Sequence, residues 1–398
     1  MSIVAVIGAG ASGIIAALKA SENNEVILID GNSSCGKKIL VTGNGKCNYW
    51  NEDMNVEHYF TDNSKILEEI LNKNEVVLNY LYSLGIYPKV KNGYYYPASG
   101  LAASIREIFE KEITRNNIKT LYNTKVIDIE KNNDKFIIIT NDGKLEVDKV
   151  IIATGSKAAP KTGSEGFGYV VAEKFGHHVN PILPSLVSLK TNDKNIKEWS
   201  GVRTEVNLSL WIDGEKIKEE NGEIQLTEDG ISGICTFNLS SLVSKNLNKN
   251  KRVVAKINFV PYINNFYEFF NKRNNDLKNR TIEELLESIL NYKLTNVILK
   301  RCGIKKDCYW KDLKTFEKDL LIKNIEDFEL EINATNSYDK AQVCTGGIPL
   351  NEINNNMESI YTKDLYFTGE ILDVDGKCGG FNLAFAFITG YIVGDNIR

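Results

Sequence analysis

A buried-strand pattern running straight into three spaced glycines constrains this chain more than any other feature. Ile3-Val4-Ala5-Val6-Ile7 is an unbroken apolar run, the pattern of a parallel strand covered on both faces. It enters Gly8-Ala9-Gly10-Ala11-Ser12-Gly13, and residues Ile14 to Ala20 follow with an Ala-rich, helix-forming composition. A second apolar run, Glu25-Val26-Ile27-Leu28-Ile29, ends at Asp30. Strand, helix and strand within about 30 residues make one βαβ unit, the setting in which G-x-G-x-x-G reads as a dinucleotide fingerprint. Gly8 permits the tight turn, Gly10 lets the backbone approach a pyrophosphate, and Gly13 allows close helix–strand packing. The amides of Ala11 and Ser12 open the helix at its positive end, where a diphosphate is stabilised. Asp30 stands at the tip of the second strand, placed to accept the ribose hydroxyls of an adenosine.

Composition narrows the rest. The 398 residues carry 42% hydrophobic and 25% charged side chains, which excludes a disordered or fibrous chain and leaves room for roughly two to three domains. A net charge of −4 argues against a nucleic-acid partner. The seven cysteines contain no C-x-x-C and read as reduced thiols, and three histidines are too few for a histidine-rich metal site, so no metal is expected. Met1 leads directly into the first strand pattern without a basic leader, and no apolar run reaches the ~18–20 residues of a membrane span. The expectation is a cytoplasmic protein with no membrane partner.

Regular βα alternation stops after Asp30. Residues 35–50 form a loop rich in Gly, Lys and Asn, followed by helical patterns and an amphipathic helix from Leu101 to Asn116. A β-meander starts near Val126, has a hairpin signal at Asn141-Asp142-Gly143, and leads into a buried strand that ends at Thr154-Gly155. From about residue 189 alternating β patterns surround a polar helical stretch. The late segment Leu365 to Glu370 is again a strand closing on Gly369-Glu370, and Gly379-Gly380 opens an apolar helix. The expected organisation is a discontinuous nucleotide domain at 1–188 plus 345–398, an inserted β-subdomain at 189–261 plus 327–344, and a helical subdomain at 262–326.

Three segments carry a family resemblance. They are Gly36-Lys37-Lys38-Ile39-Leu40-Val41-Thr42-Gly43-Asn44-Gly45-Lys46-Cys47-Asn48, then Gly230-Ile231-Ser232-Gly233, and then Thr345 to Leu350 continuing through Gly369 to Gly376 and Gly379-Gly380-Phe381-Asn382-Leu383. In these the chain resembles the aminoacetone-oxidase-like (YhiN/BaiN-like) FAD-dependent flavoprotein oxidoreductases, a family with a bile-acid-operon member. The resemblance implies an α/β fold: a Rossmann-type FAD-binding domain of the two-dinucleotide-binding-domain flavoprotein kind, with an inserted β-barrel subdomain and a small helical subdomain. It implies non-covalent FAD, with NADH or NADPH as a transient electron donor.

The implied cofactor residues follow the motifs. Gly8, Gly10, Ala11, Ser12 and Gly13 would hold the diphosphate and Asp30 the adenosine ribose, with Val126 meeting the adenine through its backbone. Lys37, Lys38, Thr42, Gly43, Asn44, Gly45, Lys46, Cys47 and Asn48 would line the ribityl and flavin side. Thr154, Gly155, Gly369, Glu370, Asp375, Gly379 and Gly380 complete the set, and the amides near Asn382 and Leu383 would face the flavin pyrimidine. The catalytic residues are left unassigned.

This chain departs from the family pattern at several positions. Lys46 replaces an arginine, and a lysine keeps the charge but loses the planar fork. Asn44 replaces a glycine. Gly93-Tyr94-Tyr95-Tyr96-Pro97 lacks an arginine after its glycine, Glu228-Asp229-Gly230 lacks a histidine, and Ile234 replaces a proline.

Other features read more plainly. Cys47 is a packed or flavin-adjacent thiol rather than a redox dithiol. Gly163 to Gly168 is a turn into a helix rather than a second nucleotide loop, and His177 and His178 cap or pack that helix's end. Tyr94 to Tyr96 read either as a strand near the flavin or as core filling. The lysines between 245 and 323 read as a solvated helical face, and Ser232 has no strand–elbow–helix context for a nucleophile.

The function that follows is hydride transfer between flavin N5 and a small organic substrate. It takes the form of an amino-ketone oxidase or of an NAD(P)H-dependent reductase of an enone such as a 3-oxo bile acid. The alternative is a flavin-binding sensor or RNA-modification accessory protein in which FAD is mainly structural. Partners are then a small-molecule substrate and at most a second copy of the chain, as monomer or homodimer.

Overall fold

The computed structural model describes residues 1–397. The chain divides into two compact units, Met1–Leu183 together with the segment from Ala341 onward, and Pro184–Lys340.

The first unit is built on a five-stranded parallel sheet. Its order is Leu365–Phe367, Lys149–Ile152, β1 (Ile3–Ile7), β2 (Glu25–Ile29) and Lys119–Leu121. Val4, Ala5 and Val6 are fully buried, as a central strand covered on both faces requires. Helix α1 (Ala11–Ala20) makes the crossover between β1 and β2. A Cβ on Gly13 would overlap the Gly8 carbonyl oxygen, and one on Gly8 would overlap the carbonyl of Ala153, so both glycines are sterically required. An antiparallel meander of Val126–Asn132, Lys135–Thr140 and Gly143–Val147 lies, along the chain, between the strands Lys119–Leu121 and Lys149–Ile152.

The last helix, Phe381–Asn396, is buried along most of its length. It packs on α1 with almost no spacing. A Cβ on Gly390 would overlap the Ser12 carbonyl, and one on Gly394 would sit 2.6 Å from Lys19 Cβ and 2.8 Å from the Ala16 carbonyl oxygen. Glycine inside a helix costs about 1 kcal/mol relative to alanine, and here the close approach of two backbones is what it permits. Among the described residues no helix is long and apolar enough to cross a membrane.

The second unit holds a seven-stranded antiparallel sheet. The order is Phe328–Ile332, Val253–Asn258, Arg203–Ile212, Glu215–Thr227, Gly230–Ser232, Leu189–Lys190 and Ala334–Thr335. The first and last strands in that order are consecutive pieces of one segment, divided at Asn333, so the sheet wraps back on itself. Along Arg203–Ile212 the apolar residues Val206, Leu208, Leu210 and Ile212 alternate inward. The helices at Phe266–Asp276, Ile282–Leu286, Tyr292–Cys302 and Thr315–Glu326 contribute to the same apolar cluster as the strands, with Phe270, Leu285, Ile298 and Leu321 packed among Trp199, Phe259 and Phe328.

His177 locks one edge of the first unit. It follows the helix Phe167–Lys174 and its ring is sealed between the edges of Tyr361 and Phe367. Nδ1 lies 3.1 Å from Glu352 Oε2 and Nε2 lies 2.6 Å from Ser359 Oγ. This is a serine–histidine–carboxylate line, yet the Ser359 hydroxyl is buried and accepts the amides of Tyr361 and Thr362. It is a packed clamp, as a helix-end histidine allows, and not a nucleophile.

Two outcomes follow from this packing. Gly390→Ala is expected to cost about 1–3 kcal/mol through overpacking, read as a lowered urea midpoint. Burial pushes the His177 pKa down, with Glu352 opposing, so the folded form is neutral. The unfolded imidazole takes up its proton near ~6.5, and stability therefore holds above that pH and falls below it. His177→Gln is expected to flatten that fall in urea midpoints measured from about pH 7.5 to about pH 5.

Candidate cofactor site

The first glycine turn is open where a ligand would need it. Gly10 caps α1 without a side-chain hydrogen bond, and the first turn carries no acidic residue, so the positive helix end has no internal counter-charge. A Cβ placed on Gly10 meets nothing within 4 Å. Asp30 braces the turn: one carboxylate oxygen accepts the Ala9 amide at 2.6 Å, and the other accepts the amide and side chain of Asn32 at 2.7 and 2.9 Å. Asn32 also donates to the Thr162 carbonyl at 3.1 Å, which brings the Gly163–Gly168 turn against this end of the sheet. Val126 opens the outer strand of the meander, whose far edge has no sheet partner.

The loop of residues 36–48 owes its shape to left-handed backbone. Gly43, Asn44, Gly45 and Cys47 have φ of 53°, 53°, 81° and 54°. Asparagine is the non-glycine residue that best tolerates this region, so Asn44 keeps the backbone that a glycine would supply. Thr42 Oγ1 donates to the Ile39 carbonyl at 2.6 Å and steadies the turn. Lys37 reaches Asn32 at 3.0 Å, Lys46 is exposed, and Asn48 is half-buried. Cys47 has no exposed surface, and burial pushes its thiol up to about 11.

Lys38 joins this loop to the late segment. Its Nζ lies 2.7 Å from Glu370 Oε2. The other Glu370 oxygen accepts Ser156 Oγ at 2.6 Å and the Cys344 amide at 3.1 Å. One carboxylate therefore ties together the loop, the turn after Thr154-Gly155, the strand Val343–Thr345 and the turn at Gly369. The neighbouring Ser12 donates to the Thr368 carbonyl at 3.3 Å, and a Cβ on Gly369 would overlap the Ser12 hydroxyl.

A second open helix end completes the arrangement. Gly380 caps the last helix at φ 91° with no side-chain bond and no acid in the first turn. A Cβ on Gly380 would lie 2.5 Å from the Trp50 carbonyl oxygen. Asn382 accepts the Gly376 amide and donates to the Gly376 carbonyl, both at 2.8 Å, closing the turn before the helix. Leu383 is half-buried, whereas Asp375 is fully buried in a short ladder with Tyr59–Phe60. Asp375 and Cys47 have no exposed surface, so both stand behind the lining of the site.

The residues that sequence reading passed over are Asn32, Ser156, Cys344 and Asn51. Each sits beside a recognised motif and is tied to a partner elsewhere in the chain. Asn51 Nδ2, for example, donates to the Gly379 carbonyl at 2.8 Å.

The thiols are chemically quiet. None of the seven cysteines is in a disulfide. Burial pushes Cys35, Cys47, Cys235, Cys302 and Cys344 up to about 11, with Glu370 adding to the effect at Cys344. The thiolate is the nucleophile, so these five are expected to resist iodoacetamide at about pH 8 in the folded protein. Peptide mass spectrometry should find Cys308 and Cys378 modified first, and rapid labelling of Cys47 would restore the reactive-thiol reading.

These features fit a flavin adenine dinucleotide: two uncapped helix N-termini free of acid, an open glycine turn, and a braced carboxylate just after β2. The profile of the HI0933-like protein Rossmann domain family matches residues 2–396. The chain is 35% identical to the 3-dehydro-bile acid delta(4,6)-reductase of Clostridium scindens (strain ATCC 35704 / DSM 5676 / VPI 13733 / 19), covering 99% of this chain and 98% of that one. It is 27% identical to the ribosomal RNA dihydrouridine synthase of Escherichia coli (strain K12), covering 97% and 95%. Among solved structures it is similar to the 3-ketosteroid-delta4-(5alpha)-dehydrogenase of Rhodococcus jostii RHA1, at 12% identity and a TM-score of 0.52, covering 98% and 95%; that likeness is one of fold. The chain belongs to the HI0933-like family of Rossmann-fold flavoproteins and is an FAD-dependent oxidoreductase.

Proposed function

We propose that this enzyme reduces a carbon–carbon double bond conjugated to a carbonyl, with electrons drawn from NADH or NADPH. The observation that carries this reading is the near end-to-end match to a bile acid delta(4,6)-reductase at 35% identity. That name describes ring double bonds beside an oxidised C3. Dihydrouridine, named for the relative in Escherichia coli, is uridine with its C5–C6 double bond reduced, and that bond is also conjugated to a carbonyl. The two names share a bond class and not a substrate.

The chain's residues serve that chemistry by holding and polarising. Bound FAD supplies hydride transfer at its N5. The amides at the start of α1 take the diphosphate, and Asp30 takes the ribose while it braces the glycine turn. Lys38 and Glu370 fix the loop against the ribityl side. The amides at the start of the last helix favour negative charge on the pyrimidine edge, which stabilises the reduced cofactor. The Gly163–Gly168 segment is a helix-capping turn, so the nicotinamide donor is read as docking on the flavin face transiently. A small substrate is favoured over an RNA base by the net charge of −4.

The absorption spectrum of the purified protein, followed anaerobically with NADH and then NADPH, tests the proposal. The expected outcome is a flavin spectrum that one nucleotide bleaches and that a conjugated enone, but not its saturated ketone, restores. A flavin that stays oxidised with both nucleotides and is bleached by an amino-ketone would make the protein an oxidase. Restoration by a uridine-containing rRNA fragment alone would move the substrate to RNA.

A further inference from the structure

We propose that a sheet face beside the cofactor site is a binding subsite for the acidic group of the substrate, which is then a small ring compound carrying one carboxylate. The identity of the ring rests on the reductase reading; the placement of the acid rests on this chain's geometry alone.

The face belongs to a three-stranded antiparallel sheet with Tyr94–Pro97 in the middle, flanked by Trp50–Asn51 and Pro88–Lys91. Its register sets Lys91 and Asn51 opposite Tyr94, and Lys89 opposite Tyr96. Directly opposed residues share a face and successive residues alternate. Asn51, Tyr94, Tyr96, Lys89 and Lys91 therefore share one face, and Trp50, Tyr95 and Val90 the other. The second face is anchored: Trp50 is buried, and Tyr95 meets buried Tyr49 edge-on at 6.4 Å. This resolves the tyrosine triplet into two roles, with Tyr95 packing and Tyr94 and Tyr96 turned the other way.

The first face adjoins the glycines that open the last helix. Asn51 donates to the Gly379 carbonyl, and a Cβ on Gly379 would lie 2.9 Å from Tyr94 Cε1. Tyr94 and Tyr96 are half-covered, and burial together with the neighbouring Tyr94 pushes the Tyr96 phenol up, so it remains a neutral donor. Lys89 and Lys91 are exposed and form no ion pair among the described residues. Lysine ammonium groups carry three donors each, and alternate residues on a strand stand roughly 7 Å apart. Two such groups behind two aromatic rings suit one carboxylate on a rigid ring system. They do not suit RNA, whose binding draws on many phosphate contacts. Exposed Glu52, Asp53 and Glu57 follow Asn51 in the chain and limit the positive field to these two lysines.

The test uses the flavin-loaded, full-length protein and two probes: a fused-ring enone carboxylic acid and its methyl ester. Calorimetric Kd and steady-state KM and kcat are measured for the native protein, K89Q/K91Q and K89R/K91R. The expected result is a loss of about 10-fold or more in Kd and KM for the acid in K89Q/K91Q, from two lost charge-assisted contacts. The ester should change less than about 2-fold, with kcat and flavin content held, and K89R/K91R should restore the acid. Equal losses for acid and ester, or no loss for either, would overturn the subsite. So would loss of rRNA-fragment retention with the acid unaffected. If neither probe is turned over while the acid still binds in a lysine-dependent way, the reductase reading fails and the subsite stands.

Discussion

Ser12 and Gly390 lie nearly a chain length apart in sequence and meet with no side chain between them. That contact sets how closely α1 and the last helix approach, and so where their two N-termini point. Both termini are uncapped and free of acidic residues, so their partial positive charges stay available for a ligand. Bulk at Gly390 or Gly394 would push the helices apart and move both termini at once. The packing of the first unit and its capacity to hold an anionic cofactor are therefore one constraint.

The Lys38–Glu370 pair works on a different principle. Both side chains are about one-fifth exposed, which leaves them short of full hydration without sealing them off. An isolated pair in that setting contributes little to stability. Its value is geometric, because the same carboxylate also accepts Ser156 and the Cys344 amide. Satisfying both oxygens from three separate segments fixes the rotamer of Glu370 and, through it, the position of Lys38.

Legibility in the sequence followed the range of the interaction. The βαβ unit was readable because its strand pattern, glycines and Asp30 all fall within the first 30 residues. The late strand and apolar helix were readable from their own patterns. Asn44 looked like a departure until its φ of 53° showed that the backbone requirement is met. What could not be read were partnerships set by tertiary register: His177 with Glu352 and Ser359, Asn51 with Gly379, and the closing of the second unit's sheet through Asn333. The tyrosine triplet is the sharpest case. Its period-2 alternation was visible, but only the pairing of Tyr95 with buried Trp50 and its contact with Tyr49 say which tyrosine packs inward.

The first unit is also interrupted, and this bears on how it is made. The strand Leu365–Phe367 and the last helix are translated only after the whole of Pro184–Lys340. At about 5–20 residues per second, the nascent glycine turn waits roughly 20–75 s for the helix that packs against it. Through that interval the face of α1 that Gly390 will cover is bare, and once Lys149–Ile152 is made its edge away from β1 waits for Leu365–Phe367. The second open helix end is therefore made long after the first, and the two can be set against each other only once the interrupting unit has been synthesised.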